Sequence, residues 1–262
     1  MANKAPRRPL RRWQGWSRGA LMALSLWLAA VGTSGEVRAQ DQSLQPDEIV
    51  GARYIGPTRH YRHGVLGDEI EYSGLRIERA ASEPYLIGFA EGGRVFEDLA
   101  PRLWDVTGDG SPEVVVIETD PTRGAQLAIY GLDGDAVQKI AATPHIGTPF
   151  RWLAPVGAAD LDDDGHIEIA YIDRPHLAKT LRIWRYSDGT FREVAAIPGL
   201  TNHRIGQDFI SGGLRDCGNG PELILASGDW FRVVALSYNK TWIKTDLSRF
   251  AGPESLTSAL TC

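Results

Sequence analysis

Apolar positions in this chain fall in short runs rich in Val, Ile and Leu, each closed by a turn of Asp, Gly, Asn or Ser. No stretch holds the 3.6-residue period of a long amphipathic helix. The runs predict strands over residues 85–89, 94–97, 126–131, 136–141, 180–186, 190–196, 231–237 and 242–246. Four turn sequences join them in pairs: Glu91-Gly92-Gly93, Leu132-Asp133-Gly134-Asp135, Ser187-Asp188-Gly189 and Tyr238-Asn239-Lys240. An Asp-Gly step supplies the positive φ that a tight hairpin needs, so each pair reads as a hairpin. One short helical turn is expected over 253–260.

The hairpins belong to a longer period. Asp105-Val106-Thr107-Gly108-Asp109-Gly110-Ser111-Pro112-Glu113, followed by a Val run, recurs 55 residues on as Asp160-Leu161-Asp162-Asp163-Asp164-Gly165-His166-Ile167-Glu168. A degraded copy, Asp216-Cys217-Gly218-Asn219-Gly220-Pro221-Glu222, has its glutamate another 54 residues along, and a fainter one ends at Gly67-Asp68-Glu69-Ile70-Glu71. Every unit reads strand, acidic turn, strand, hairpin, strand. Short antiparallel strands repeated at this spacing mark propeller blades, because one blade cannot bury both faces until neighbours stack on it. The expectation is therefore an all-β fold, a small β-propeller of about four blades of four antiparallel strands. A β-sandwich with incidental acidic loops is the competing arrangement.

Upstream of the repeats the character changes. Lys4, Arg7, Arg8, Arg11, Arg12 and Arg18 surround the approach to an uncharged apolar run from Ala20 to Val31, and Val37-Arg38-Ala39 offers a cleavage site. These features mark a secretory signal peptide over 1–39 and a repeat domain over 40–262. The apolar run is about 12 residues, short of the roughly 20 needed to cross a bilayer, so no membrane span is expected after cleavage. An uncleaved anchor is the alternative.

The whole chain has 262 residues with 28 basic and 33 acidic side chains; cleavage after Ala39 would leave a net charge of −11. Such a charge favours cations and opposes adhesion to nucleic acid or anionic membranes. Cys217 and Cys262 survive cleavage, and in an oxidising compartment the pair is expected to form one disulfide that staples the last residue to the body. The expected location is periplasmic or secreted.

The acidic turns place oxygen donors at positions 1, 3, 5 and 9, with glycine at 6 to let the chain fold back. Hard cations such as Ca²⁺ take six to eight oxygens from carboxylates, carbonyls and water. The second turn offers Asp160, Asp162, Asp164 and Glu168, with the His166 carbonyl at position 7. So many like charges so close together require a cation among them. The first turn offers Asp105, Thr107, Asp109, the Ser111 carbonyl and Glu113, one carboxylate fewer, and is expected to bind more weakly. The third turn and the upstream relic lack the donors. An EF-hand is excluded, since it needs a bidentate Glu at position 12 and a helix on each side, whereas Val116 and Tyr171 stand there.

The segments 105–116 and 160–171 resemble the calcium-binding turns of FG-GAP/VCBS repeats, the blades of integrin-α-type propellers. The resemblance implies one ion at the connection between the first two strands of a blade, with ligand roles on Asp105, Thr107, Asp109, Glu113, Asp160, Asp162, Asp164 and Glu168. Departures are Glu where Asp is commoner at position 9, the weaker donor Thr107, and fewer units than an integrin-type propeller.

Catalytic signatures are thin. The six histidines form no zinc-type cluster, no Gly-x-Ser-x-Gly or Walker loop occurs, and no paired carboxylates stand outside the acidic turns. Basic and aromatic residues do recur where each unit begins: Arg59 and His60, Arg102, Arg151 with Trp152, and His203 with Arg204. On innermost strands they would ring the axis and receive a small anionic or carbohydrate ligand. The functional expectation is an exported calcium-binding propeller that acts as a binding or scaffolding module for an unidentified protein or small ligand. A hydrolase or lyase using an axial pocket, or an assembly subunit completed by a partner chain, are the alternatives.

Overall fold

The computed structural model describes residues 47–262, so the signal peptide expected over 1–39 and its cleavage point lie outside the described residues. From residue 47 onward nearly all regular structure is antiparallel β. Strand β1 (Ile49–Thr58) pairs along its length with β2 (Glu71–Arg79), and β3 (Tyr85–Gly88) adds to the other edge of β2. After β4 (Val95–Phe96) come β5 (Arg102–Trp104), β6 (Glu113–Asp120), β7 (Gly124–Asp133) and β8 (Ala136–Ala142), a meander in which each strand pairs with the next.

The hairpin expected between 85–89 and 94–97 does not form. Gly93 N–H does close a turn on the Ala90 carbonyl, but β4 then pairs with Tyr72 of β2 on one side and with Glu118 and Thr119 of β6 on the other. The cause is apolar: Phe96 is fully buried, its ring stacked 4.7 Å from Phe89 and 5.5 Å from Tyr54 of the first unit and in one apolar cluster with Val114, Val116 and Ala128 of the second, so a shared core holds β4 between them. The first two units thus share one eight-stranded sheet instead of making two separate blades.

The third unit is a clean four-stranded meander of β9 (Leu153–Ala159), β10 (Glu168–Asp173), β11 (Thr180–Ser187) and β12 (Thr190–Pro198). Its hairpin turn places Asp188 at φ 50° and Gly189 at φ 73°, the paired positive angles that a two-residue turn between Ser187 and Thr190 requires. The fourth sheet segment comprises the two-residue β13 (Leu200–Thr201), then β14 (Gly213–Asp216), β15 (Pro221–Ser227), β16 (Arg232–Tyr238) and β17 (Trp242–Arg249). β13 and β14 both pair with β15, and β16 and β17 continue the meander.

Strands β6 and β7 are buried on both faces. Val115, Ile117, Leu127 and Ile129 join the largest cluster with Ile169, Ile172 and Leu225, while Val114, Val116 and Ala128 pack against Leu75, Ile77 and Phe96. The expected short helix is α1 (Pro253–Ala259), which lays the buried Leu256 on Ile224, Ala226, Val233 and Ala235. Burial of such a leucine contributes about 1.5–3 kcal/mol. The chain then ends in a disulfide between Cys262 and Cys217, with Cα atoms 5.6 Å apart. Among the described residues no helix is long and apolar enough to cross a membrane.

Candidate functional site

In every unit a glutamate stands at the start of the strand that follows the turn: Glu71 opens β2, Glu113 opens β6, Glu168 opens β10, and Glu222 is second in β15. The first three are buried, so each carboxylate needs something to satisfy it, and the four units answer differently.

In the second turn, Asp160, Asp162 and Glu168 bring carboxylate oxygens within 4.8 Å of one another, the single such group of three among the described residues. Asp160 accepts the backbone N–H groups of Asp164 and Gly165, and Glu168 accepts that of Leu161, so the loop is wrapped around its own side chains. Gly165 takes φ 85°, as the tight reversal needs. His166 donates its N–H to Asp164. The positive charge here comes from the protein itself. Arg185 on β11 is the register partner of Glu168 and reaches Glu168 at 2.6 Å, Asp162 at 2.5 Å and Asp164 at 2.5 Å. Burial pushes the Glu168 carboxyl up, opposed by Arg185 and the Leu161 N–H. One oxygen remains: Asp162 Oδ1 is buried and has no hydrogen-bond partner.

The first turn is satisfied differently. Glu113 accepts the N–H groups of Val106 and Thr107 and the Thr107 hydroxyl; Asp105 accepts Gly108 and Gly110, and Asp109 accepts Ser111. Burial raises the Glu113 carboxyl against those donors. No arginine enters. Gly131 lies beside this glutamate, where a Cβ would stand 3.2 Å from Glu113 Cγ. In the third turn Arg215 grips Glu222 at 2.7 and 2.9 Å, and the disulfide ties down Cys217. The upstream relic leaves Glu71 with one oxygen buried and unpartnered; burial, then the charges of Glu97, Asp68 and Asp98, push its carboxyl up to about 9.

The donor set of the second turn suits a hard cation. Its carboxylates converge, and one of the converging residues, Asp162, keeps a buried oxygen with no hydrogen-bond partner. An ion there would have to exchange places with the Arg185 guanidinium.

The basic and aromatic positions divide. Trp152 is 2% exposed and donates its indole N–H to the Glu97 carbonyl at 2.7 Å, with its ring edge-on to His203 at 4.9 Å. Arg102 pairs with Asp98, next to Glu97 in the chain, and Arg151 lies beside Trp152 at the surface of the same region. Arg59, His60 and Arg204 lie elsewhere: Arg59 is exposed, His60 bonds Thr58 and the Gly93 carbonyl, and Arg204 stacks over Trp230 at 4.5 Å. The structure also corrects the expectation of no paired carboxylates outside the acidic turns. Glu97 and Asp98 are adjacent and buried, with Glu71 close enough that their charges raise its carboxyl. His63 bonds Glu97 through Nδ1, and His176 Nε2 lies 2.9 Å from His203 Nδ1. These partners come from separate loops that no sequence spacing joins, and Arg185 meets Glu168 only through the β10–β11 register.

No curated protein matches this chain. Residues 105–171, from Asp105 at the head of the first acidic turn through the second turn and into β10, match the model of the FG-GAP-like repeat family, so this stretch is similar to that repeat.

Proposed function

We propose that the protein is an exported β-propeller-type binding module whose second acidic turn holds a structural Ca²⁺. The observation that carries this reading is the convergence of Asp160, Asp162 and Glu168, together with a buried carboxylate oxygen of the same turn, Asp162 Oδ1, that has no hydrogen-bond partner. Asp164 and the His166 carbonyl complete the donor set, with water filling the remaining positions. The ion would order the turn between β9 and β10 and do no chemistry. The first turn has Thr107 where the second has Asp162, one carboxylate fewer, and shows no comparable convergence, which supports weaker binding at Asp105, Thr107, Asp109, Ser111 and Glu113. Export is supported by the leader-like N-terminus and by the disulfide, a bond that persists in oxidising compartments.

Because the ion binds only the folded turn, stability should rise by RT ln(1 + [Ca²⁺]/Kd), about 2.7 kcal/mol at one hundred times Kd. Thermal melting in excess calcium and in chelator measures this directly. Asp162→Ala should abolish most of the shift and Asp109→Ala should leave most of it. An unchanged melting temperature between the two conditions removes the calcium reading, and a larger effect of Asp109→Ala reverses the ranking of the turns.

A further inference from the structure

A small cleft of about 30 Å³ opens beside the buried Glu97 and carries two guanidinium groups and two imidazoles but no carboxylate, in a chain of net charge −5. We propose that this cleft, walled by His63, Phe150, Arg151, Trp152, Arg174 and His176, binds a small hydroxy acid, of which a uronic acid unit of an acidic polysaccharide is the representative. This assignment does not depend on the calcium reading.

Size comes first. The volume is about a tenth of the smallest pockets of about 300–1,000 Å³ that hold drug-sized ligands, so the cleft takes one acid head group and the rest of the ligand lies outside it, against the exposed Phe150 ring. The charge follows from the two arginines. Arg151 donates Nη1 to the Phe150 carbonyl and pairs with no carboxylate among the described residues, leaving Nε and Nη2 for an oxyanion. Arg174 gives Nε and Nη2 to Asp173 and keeps Nη1.

The hydrogen-bond chain behind the cleft fixes what else the ligand must carry. His203 Nε2 lies 3.0 Å from the Gln207 carbonyl, which can only accept, so His203 carries its proton on Nε2 and its Nδ1 accepts. His176 must then donate from Nε2, which leaves its Nδ1 as a bare acceptor. Burial and the neighbouring His203 hold His176 low, at about 4, so that acceptor persists at neutral pH. A bare acceptor near two cations favours a ligand that presents a hydroxyl next to its acid group. His63 is tethered through Nδ1 to Glu97, so its Nε2 is the ring nitrogen left over. The exposed Phe150 ring, stacked 4.7 Å from Tyr61, gives a flat apolar wall of the kind on which a sugar ring rests. Phe150 and Arg174 also hold φ at 53° and 48°, left-handed values that non-glycine residues adopt at a cost and that recur at binding sites.

The experiment is isothermal titration of the purified protein, in chelator, with D-glucuronate, D-glucose, acetate and inorganic phosphate. Saturable glucuronate binding is expected, at least about tenfold tighter than glucose or acetate, and Arg151→Met should weaken it by about tenfold or more. Phe150→Gly, which removes the wall and relieves the left-handed backbone, should also weaken it while the protein still melts cooperatively. No heat with millimolar glucuronate overturns the assignment, as does unchanged affinity in both variants. Phosphate or acetate binding as tightly as glucuronate overturns the hydroxyl requirement. The chelator separates this result from the calcium test, since either can fail without the other.

Discussion

Arg185→Met isolates the most unusual feature of the second turn, because it removes the charge and keeps an apolar stem of similar reach. In the native turn the guanidinium bonds Glu168, which is 0% exposed, together with Asp162 and Asp164. Breaking a buried ion pair by deleting one partner costs about 3–5 kcal/mol, and the partly exposed Asp164 adds little beyond it. Taking about 3 kcal/mol, and about 2–4 °C per kcal/mol for a domain of this size, the variant should melt roughly 6–12 °C below wild type in chelator. Calcium changes the comparison. With the guanidinium gone the ion no longer competes for Asp162 and Glu168, so a concentration near one hundred times Kd should restore about 2.7 kcal/mol, most of the loss. Wild type should show the smaller calcium shift of the two. Differential scanning calorimetry on both proteins, with calcium and with chelator, reads all four melting temperatures. Equal deficits in calcium and chelator would refute the competition, and a variant as stable as wild type in chelator would refute the repulsion that underlies it.

Four further outcomes can be checked independently. Glu71 has its carboxyl raised from 4.5 to about 9, so the folded state holds a proton that the unfolded chain releases; the stability it contributes is fully present below about 4.5 and declines as pH rises toward 9, with a slope of up to about 1.4 kcal/mol per pH unit. Glu71→Gln should flatten that decline in urea melts at pH 5 and 8.5, and an unchanged slope would show that another group sets it. Leu256→Ala should cost about 2–5 kcal/mol in chemical denaturation, since the residue is fully buried under α1; a loss below 1 kcal/mol would mean the helix does not cover its sheet. Reducing the bond between Cys217 and Cys262 opens a loop of 45 residues and should cost up to about 4 kcal/mol, read as a shift in the urea midpoint with and without reductant. Phe96→Ala should cost about 3–5 kcal/mol in chemical denaturation, because that ring is buried in the apolar cluster the two units share, and a loss below about 1 kcal/mol would mean that cluster does not hold them together.

Local chemistry explains what could be read from the sequence and what could not. The turn at Asp188 and Gly189, the strands on either side, the helix at Pro253–Ala259 and the recurrence of the acidic turns all depend on residues near one another in the chain. The path of β4 did not, because Val95 and Phe96 have the same apolar character whether they fold back on β3 or cross to β6. Arg185 sits 17 residues beyond Glu168 and meets it only through the β10–β11 register, which the sequence pattern alone did not fix. His63 and His176 lie on different loops, and no spacing rule connects them; their nearness follows from the tertiary contacts of Trp152, which bonds the Glu97 carbonyl and packs edge-on to His203.

The two-residue strand β4 also separates the unit of duplication from the unit that can be cut out. An excised second repeat would lose the partners that cover Val114, Val116 and Ala128 on β6 and β7 and would leave half an edge of β6 open to pairing with other chains. Anyone trimming this molecule for display, fusion or shuffling of its modules must carry the first and second repeats together.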